Sequence, residues 1–226
     1  MSNKPSKRHT ESLTKVPEGA VSTLEAATVL KGLPGAKFDA TVELVMHLGI
    51  DPKQSDQALR GSLSLPHGIG ATRSVIAFCD ESEVEAAMAA GATEAGCEDL
   101  IKKVAGGWMD FDVAVATPKV MRDVSKLGRT LGPQGKMPSP KAGTVGPDVA
   151  TMIAEFAAGK VEYRNDDGGN LHVPVGKMSF EVEKIADNAN AFIDHVRKSK
   201  PSGTKGTYMK KVCLSATMLP SVQLDV

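Results

Sequence analysis

Two strand patterns occur in this sequence, and their order along the chain constrains the fold most. Near the N-terminus, FDATVELVMHLG alternates apolar and polar residues, which predicts a strand with one buried face. In the middle, SVIAFC (74–79) and FDVAVATP (111–118) are continuously apolar, as is typical of strands covered on both faces. The alternating pattern then returns in VEYRNDDGGNLHVPVG, which predicts a hairpin, and in the last pair of strands. Strands with one buried face therefore flank strands that are covered on both faces, and this order predicts one domain inserted into another.

Helical segments separate the strands in both parts of the chain. ESEVEAAMAAGA, CEDLIKKVAGG, KVMRDVSKLG and PDVATMIAEFAAGK surround the two buried strands, and this alternation is typical of an α/β domain with a mainly parallel sheet. In the flanks we expect a helix over 20–33 and another over 51–61, capped by Asp51. SFEVEKIADNANAFIDHVRKSKP has the clearest helical periodicity, with Ser179 as its candidate cap and His195 on its polar side.

These elements predict an α+β discontinuous domain with an inserted α/β domain. Domain one comprises residues 1–66 and 160–226, and domain two comprises residues 67–159. The two crossings, HGIG (67–70) and AAGK (157–160), both contain glycine, and we expect them to form a double-strand hinge.

Composition excludes several classes of protein. The chain has 226 residues with no net charge, and no segment approaches the roughly 18 apolar residues of a membrane span. The polar start cannot serve as a signal peptide, so we expect a cytoplasmic protein. Three cysteines without CxxC spacing predict neither a disulfide framework nor a zinc site, and no cofactor or metal is expected.

The segment LGRTLGPQGKMPSPKAGTVG (127–146) has five glycines, three prolines, three cations and no acid. Glycine and proline at this density predict a long surface loop. From Pro118 through Val145 there are six cations against one acid, so a neutral protein can still carry a positive face. A phosphate-cradling loop of an enzyme, an RNA-contacting loop and a flexible linker remain the three interpretations.

Motifs for catalysis are missing from the sequence. A Walker-type loop requires Ser or Thr after Gly-Lys, but Met137 follows Gly135 and Lys136, and Thr130 takes the place of the first glycine. CDESEVEA, which follows the first buried strand, is acidic and would repel a pyrophosphate. The five histidines have no metal-ligand spacing. We therefore predict that the chain is not an enzyme.

Candidate RNA-binding residues lie on polar strand faces and at strand ends. They combine cations with hydroxyl groups and flat or soft apolar side chains, which suit phosphates, riboses and base edges. The candidates are Lys37, Phe38, Thr41, Arg164, His172, Ser215, Thr217 and Met218. Core packing is the competing interpretation for Phe38 and Met218.

Five stretches together resemble the bacterial ribosomal protein L-one family of the large subunit. They are KFDATVEL, DQALRGSLSLPHG, LGRTLGPQGKMPSPKAGTV, VEYRNDDGGNLHVPVGK and GTYMKKVCLSATMLPSVQLD, in the family's order from about residue 30 to the C-terminus. The chain departs from the family at Leu219, where glycine is usual, and at Asp166-Asp167, where a lysine is common.

The resemblance implies that the inserted domain is Rossmann-like and that the eight candidate residues form an RNA surface. It implies binding to large-subunit ribosomal RNA at the mobile stalk beside the exit site of the 50S subunit, and assistance in the release of deacylated tRNA. It also implies binding to the protein's own messenger RNA as a translational repressor. In the family the glycine-rich segment is a loop of the inserted domain, so Arg129, Lys136 and Lys141 are expected to approach RNA phosphates.

Overall fold

The computed structural model describes residues 6–226 and contains eight α-helices and nine strands over that range. The helices are α1 (Lys7–Thr14), α2 (Thr23–Gly32), α3 (Val84–Ala89), α4 (Glu98–Ala105), α5 (Met121–Val124), α6 (Gly128–Leu131), α7 (Val149–Ala157) and α8 (Val182–Lys198). The strands are β1 (Thr41–Leu48), β2 (Arg60–Ser64), β3 (Val75–Phe78), β4 (Glu94–Gly96), β5 (Val113–Ala116), β6 (Lys160–Arg164), β7 (Asn170–Lys177), β8 (Met209–Ala216) and β9 (Val222–Gln223). Among the described helices, none is long and apolar enough to cross a membrane.

The chain divides into two compact units. The first comprises Met1–Gly70, described from residue 6 onward, together with Val161–Val226, and the second comprises Ala71–Lys160. Each unit has its own buried apolar clusters. The prediction of a mixed α/β fold with several sheets is confirmed.

The first unit is built on a four-stranded antiparallel sheet in the order β7-β1-β8-β9. Alternate residues of β1, from Val42 to Leu48, point into the core, where α2 and α8 pack on this face. Burying one face of a sheet against helices is the usual reason for such alternation. The remaining residues of this strand, Thr41, Glu43, Val45 and His47, lie on the other face and are half-buried or exposed. Strands β2 and β6 form a separate two-stranded sheet.

The second unit has a parallel sheet in the order β4-β3-β5. Every residue of β3 and β5 is buried, because apolar clusters cover both faces of the sheet. One cluster includes residues of α4 and α5, and the other includes residues of α3 and α7. The continuously apolar strands of the sequence therefore have a simple physical origin.

Several local predictions are wrong. The predicted hairpin does not form as such, because β6 pairs with β2 and β7 pairs with β1 in another sheet, and the two segments are joined through the isolated Asn165–Leu171 bridge. Residues 51–61 do not form a helix: turns follow Asp51, whose carboxylate accepts from the Lys53 backbone N–H and the Gln54 amide, and β2 begins at Arg60. Ser179 does not cap α8, because the N-cap of this helix is Glu181. The backbone N–H and the hydroxyl of Ser179 instead donate to the Asp39 carboxylate.

A further correction concerns the glycine-rich segment 127–146. It is not an irregular surface loop throughout, because α6 and a 3-10 turn (Pro140–Ala142) lie within it and Val145 bridges to Ala116. Leu131 and Ala142 are fully buried, so part of this segment belongs to the core of the second unit.

Candidate nucleic-acid interface

The face of the four-stranded sheet that the helices leave uncovered carries several of the predicted residues. Glu43 pairs with Ser215, so the side chain of Ser215 shares the uncovered face with Glu43. One step beyond the last pair, the Thr217 backbone N–H donates to the Thr41 carbonyl at 3.0 Å. Thr41, Ser215 and Thr217 therefore lie together where β1 begins and β8 ends.

Thr41 accepts hydrogen bonds through both its carbonyl oxygen and its side-chain hydroxyl. Its carbonyl also accepts from the Thr217 hydroxyl at 3.3 Å, and its own hydroxyl accepts from the Lys177 ammonium at 3.0 Å. Lys177 belongs to β7 and Thr217 follows β8, so three neighbouring strands converge on this residue. The result is an ordered row of hydroxyl and ammonium groups across one end of the face.

Met218 lies at the tip of the turn that follows β8. The Leu219 N–H donates to the Ala216 carbonyl at 2.9 Å and closes the turn. Met218 has φ 67°, and within residues 6–226 it is the one residue other than glycine with a positive φ. Its side chain is also 63% exposed. A strained backbone that presents an apolar side chain to solvent points to a role outside the core.

Lys37 and Phe38 lie just before β1, at the same end of the sheet. Phe38 is 54% exposed, so it is not a core residue. The segment is anchored because Asp39 accepts from Ser179 and the Ala40 carbonyl accepts from the Met178 N–H at 2.9 Å. Phe38 and Met218 are thus two exposed apolar side chains near the Thr41 row.

Lys177 was missed in the sequence because of a β-bulge. Strict alternation with Leu171 and Val173 would turn Lys177 into the core. Val42 pairs with Gly176, but Glu43 pairs with Pro174, so β7 has one extra residue at this point. The extra residue reverses the face of the sheet to which the following side chains point, and Lys177 lies opposite Thr41. Gly176 is the available signal, because glycine within a strand often marks a bulge. Here a Cβ on Gly176 would lie 3.0 Å from the Phe180 ring.

His172 and Arg164 lie apart from this end of the face. His172 pairs with Val45, four residues along β1 from Thr41, which corresponds to about 14 Å. Arg164 precedes Asn165, which bridges to Leu171, so Arg164 and His172 flank the same turn. Both side chains are exposed. The structure therefore separates the eight predicted residues into a group of six and a group of two.

Asp166 organises the turn between β6 and β7. Its carboxylate accepts from the backbone N–H groups of Gly168 and Asn170, at 2.9 and 2.6 Å, and from the Asn170 side chain at 2.9 Å. The Asn170 bonds, with a smaller contribution from Gly168, lower the pKa of Asp166. The Asn170 side-chain oxygen in turn accepts from Nδ1–H of His47 at 2.8 Å. The acid is thus a structural element of the turn.

The three loop cations of the second unit differ in their surroundings. Arg129 and Lys141 are exposed. Lys136 donates to the carbonyl oxygens of Met109 and Phe111 at 3.1 and 2.6 Å, and its ammonium lies 5.0 Å from the centre of the Phe111 ring. The ammonium of Lys136 therefore already has two acceptors within its own unit.

The carboxyl ends of β3 and β4 border a crevice in the second unit, the usual location of a ligand in an open α/β sheet. Acidic side chains dominate its lining and would repel a phosphate. The crevice is lined by Asp80, Glu81, Glu94, Glu98 and Asp99 with Lys103. Within residues 6–226, no group of three or more His, Cys, Asp or Glu side chains is placed to hold a metal ion.

Comparison with known proteins decides the family. The model of the ribosomal protein L1p/L10e family matches residues 29–220. The chain belongs to this family. The matched range includes all eleven proposed RNA-contacting residues, and α1 lies outside it.

Three relatives named "Large ribosomal subunit protein uL1" match over nearly the whole chain. The protein of Thermus thermophilus is 50% identical over 224 residues, covering 98% of both chains. That of Kosmotoga olearia is 48% identical and covers 98% of this chain and 96% of the relative. That of Mycobacteroides abscessus is 46% identical, with 99% and 95% covered. Membership of a ribosomal protein family confirms the family resemblance and the prediction that the chain is not an enzyme.

Proposed function

We propose that this protein is a structural constituent of the large ribosomal subunit in the cytoplasm and binds large-subunit ribosomal RNA. The observation that carries the proposal is the row at Thr41, where the half-buried Thr41 and Ser215 and the exposed Thr217 lie beside the strained, exposed Met218. Hydroxyl groups and backbone groups suit riboses and base edges, and soft or aromatic side chains suit stacking on unpaired bases. Family membership supports the same partner.

The RNA surface in this proposal has a main part and a lesser part. Lys37, Phe38 and Thr41 form the main part with Ser215, Thr217 and Met218. Arg164 and His172 would contact the RNA farther along, about 14 Å away by the strand register. A single folded RNA extends over more than this distance, so both parts can contact the same RNA.

We propose that the two units act as domains joined by a hinge, with domain one as the main RNA-binding domain. The limits predicted from the sequence, 1–66 with 160–226 and 67–159, differ by a few residues from the compact units. Gly68, Gly70 and Gly159 have positive φ, which supports HGIG and AAGK as the flexible crossings.

Phosphate contacts by the inserted domain form the next part of the proposal. Arg129 and Lys141 are exposed and can approach RNA phosphates. Lys136 could do so only by giving up its bonds to two carbonyl oxygens. We therefore assign the loop contacts chiefly to Arg129 and Lys141.

The place on the ribosome and the regulatory role also belong to the proposal. Binding at the mobile stalk beside the exit site would let the protein contact exit-site tRNA and assist the release of deacylated tRNA. Binding to its own messenger RNA would repress translation wherever that RNA mimics the ribosomal site. The family resemblance supports both roles.

Filter binding with a ribosomal RNA fragment from the stalk region tests the proposal. Against a scrambled RNA of the same length, we expect a preference on the order of 10³ or more, as for other specific nucleic-acid-binding proteins. ATP and GTP are measured beside it, because a phosphate-binding α/β enzyme is the rival function. Tight nucleotide binding with no preference between the two RNAs would overturn the proposal.

A further inference from the structure

Lys177 has a place on the uncovered sheet face that no alternation pattern predicts. The bulge at Gly176 brings it opposite Thr41, and its ammonium donates to the Thr41 hydroxyl at 3.0 Å. An ammonium has three donors, and this bond uses one of them. In the part of the chain that the structure describes, no carboxylate lies within 4.0 Å of the Lys177 ammonium.

The stem of Lys177 is held by its neighbours within the first unit. Gly70 approaches so closely that a Cβ there would lie 3.2 Å from the Lys177 Cγ and 2.6 Å from the Phe180 ring. Gly70 also has φ +70°, a conformation that side chains other than glycine rarely adopt. The same Phe180 ring packs on Gly176 at the bulge. Lys177 is thus a half-buried cation with a supported stem and a free charge.

We propose that Lys177 is a further RNA-contacting residue, which binds a phosphate oxygen of the RNA backbone and orients the Thr41 hydroxyl. A hydroxyl that accepts from an ammonium keeps its own proton available, so Thr41 acts as a donor toward an RNA oxygen or nitrogen. The Thr41 carbonyl is already bonded to Thr217, which fixes the backbone of the same residue. The inference rests on the proposed function and adds a residue to the RNA surface.

Two substitutions separate the charge from the hydrogen bond. Lys177→Gln keeps a donor for Thr41 and removes the charge, whereas Lys177→Met removes both. Lys198→Gln is the matched control, because Lys198 is exposed in the last turn of α8, on the helical side of the sheet. Affinity of the full-length protein for the stalk-region RNA fragment is measured over a range of salt concentrations, and circular dichroism melting monitors folding.

The slope of log affinity against log salt is negative, and we expect Lys177→Gln and Lys177→Met to make it shallower by about 0.7 to 0.9, the value for one lost phosphate contact. Lys198→Gln leaves the slope unchanged. A Thr41→Val substitution combined with each lysine variant completes two double-mutant cycles. In the first cycle, we expect Lys177→Met and Thr41→Val to change the affinity together by a factor that differs at least threefold from the product of their separate effects. In the cycle with Lys177→Gln, we expect a smaller coupling.

The result that overturns the inference is a wild-type salt slope for Lys177→Gln together with no coupling between Lys177→Met and Thr41→Val. If Lys177→Met unfolds the protein, the slope of Lys177→Gln alone decides the phosphate contact. Failure of the proposed function looks different, because wild-type protein would then show no preference for the stalk-region fragment at all.

Discussion

The Tyr163 hydroxyl lies 2.9 Å from Nε2 of His195, inside the first unit. Tyr163 belongs to β6 and His195 to α8, and the Tyr163 ring also meets Phe192 edge to face. The sequence pattern predicts His195 on the polar side of α8, and this prediction is wrong because the His195 ring faces Tyr163. Burial, and to a smaller extent the charge of Lys198, lowers the pKa of His195.

This pair predicts a loss of stability at mildly acidic pH. Because the pKa of His195 is lower in the folded state, the unfolded chain takes up the proton first. The stabilisation is complete above the ordinary histidine pKa of about 6.5 and declines as the pH falls through that value toward the folded pKa.

Urea midpoints at pH 7.5 and pH 5.5 measure the effect. The midpoint of wild-type protein should fall more between these pH values than that of His195→Gln, which keeps polar groups but cannot titrate. An equal fall in both proteins would show that other groups cause the pH dependence.

Lys136 and Lys141 give a second prediction, because one is bonded within the second unit and the other is exposed. Lys136→Met leaves two carbonyl oxygens without their donor and should cost about 1–3 kcal/mol of unfolding free energy, with little change in the salt slope of RNA binding. Arg129→Gln with Lys141→Gln should make that negative slope shallower by about 1.4 to 1.8, with little change in stability. A shallower salt slope for Lys136→Met without a loss of stability would make Lys136 a phosphate contact after all.

Asp166 and Asp167 are adjacent acids that should behave differently. Asp166→Asn weakens the bonds to Gly168 and Asn170 and should lower the melting temperature by roughly 2–4 °C, as expected for about 1 kcal/mol in a chain of this size. Asp167→Asn should leave the melting temperature unchanged and raise RNA affinity slightly at low salt, because it removes a repulsive charge. Differential scanning calorimetry and filter binding together check both statements, and equal melting temperatures would contradict the role of Asp166.

Much of the fold could be predicted because burial follows from local patterns. The alternation in β1 and the continuous apolar runs in β3 and β5 identify their faces correctly. The short strand β4 was missed, since TEAG has no apolar run and pairs only because β3 lies beside it. The bulge that turns Lys177 outward and the bonds that hold Lys136 depend on residues distant in sequence. Tertiary contacts of this kind leave little trace in a local pattern.

Met218 gives a prediction in which stability and binding change separately. Met218→Gly relieves the positive φ, so unfolding free energy should stay within about 1 kcal/mol of wild type or rise. RNA affinity should fall by about 1–3 kcal/mol, the value of one stacking side chain. Thermal melting and filter binding of the same preparation provide both numbers. A destabilised protein with wild-type affinity would instead assign Met218 to packing.

The most direct test of the RNA surface is the specificity of the full-length Phe38→Ala, Met218→Ala variant. The measurement is the ratio of its affinities for the stalk-region RNA fragment and for a scrambled RNA, beside the same ratio for wild-type protein. Both side chains are more than half exposed, so the melting temperature should change little. We predict that the ratio falls about tenfold or more, because the folded fragment holds unpaired bases against both side chains and the scrambled RNA does not, so contacts of about 1–3 kcal/mol each are lost from the specific complex alone. An unchanged ratio in a folded variant would contradict the assignment of RNA recognition to this face.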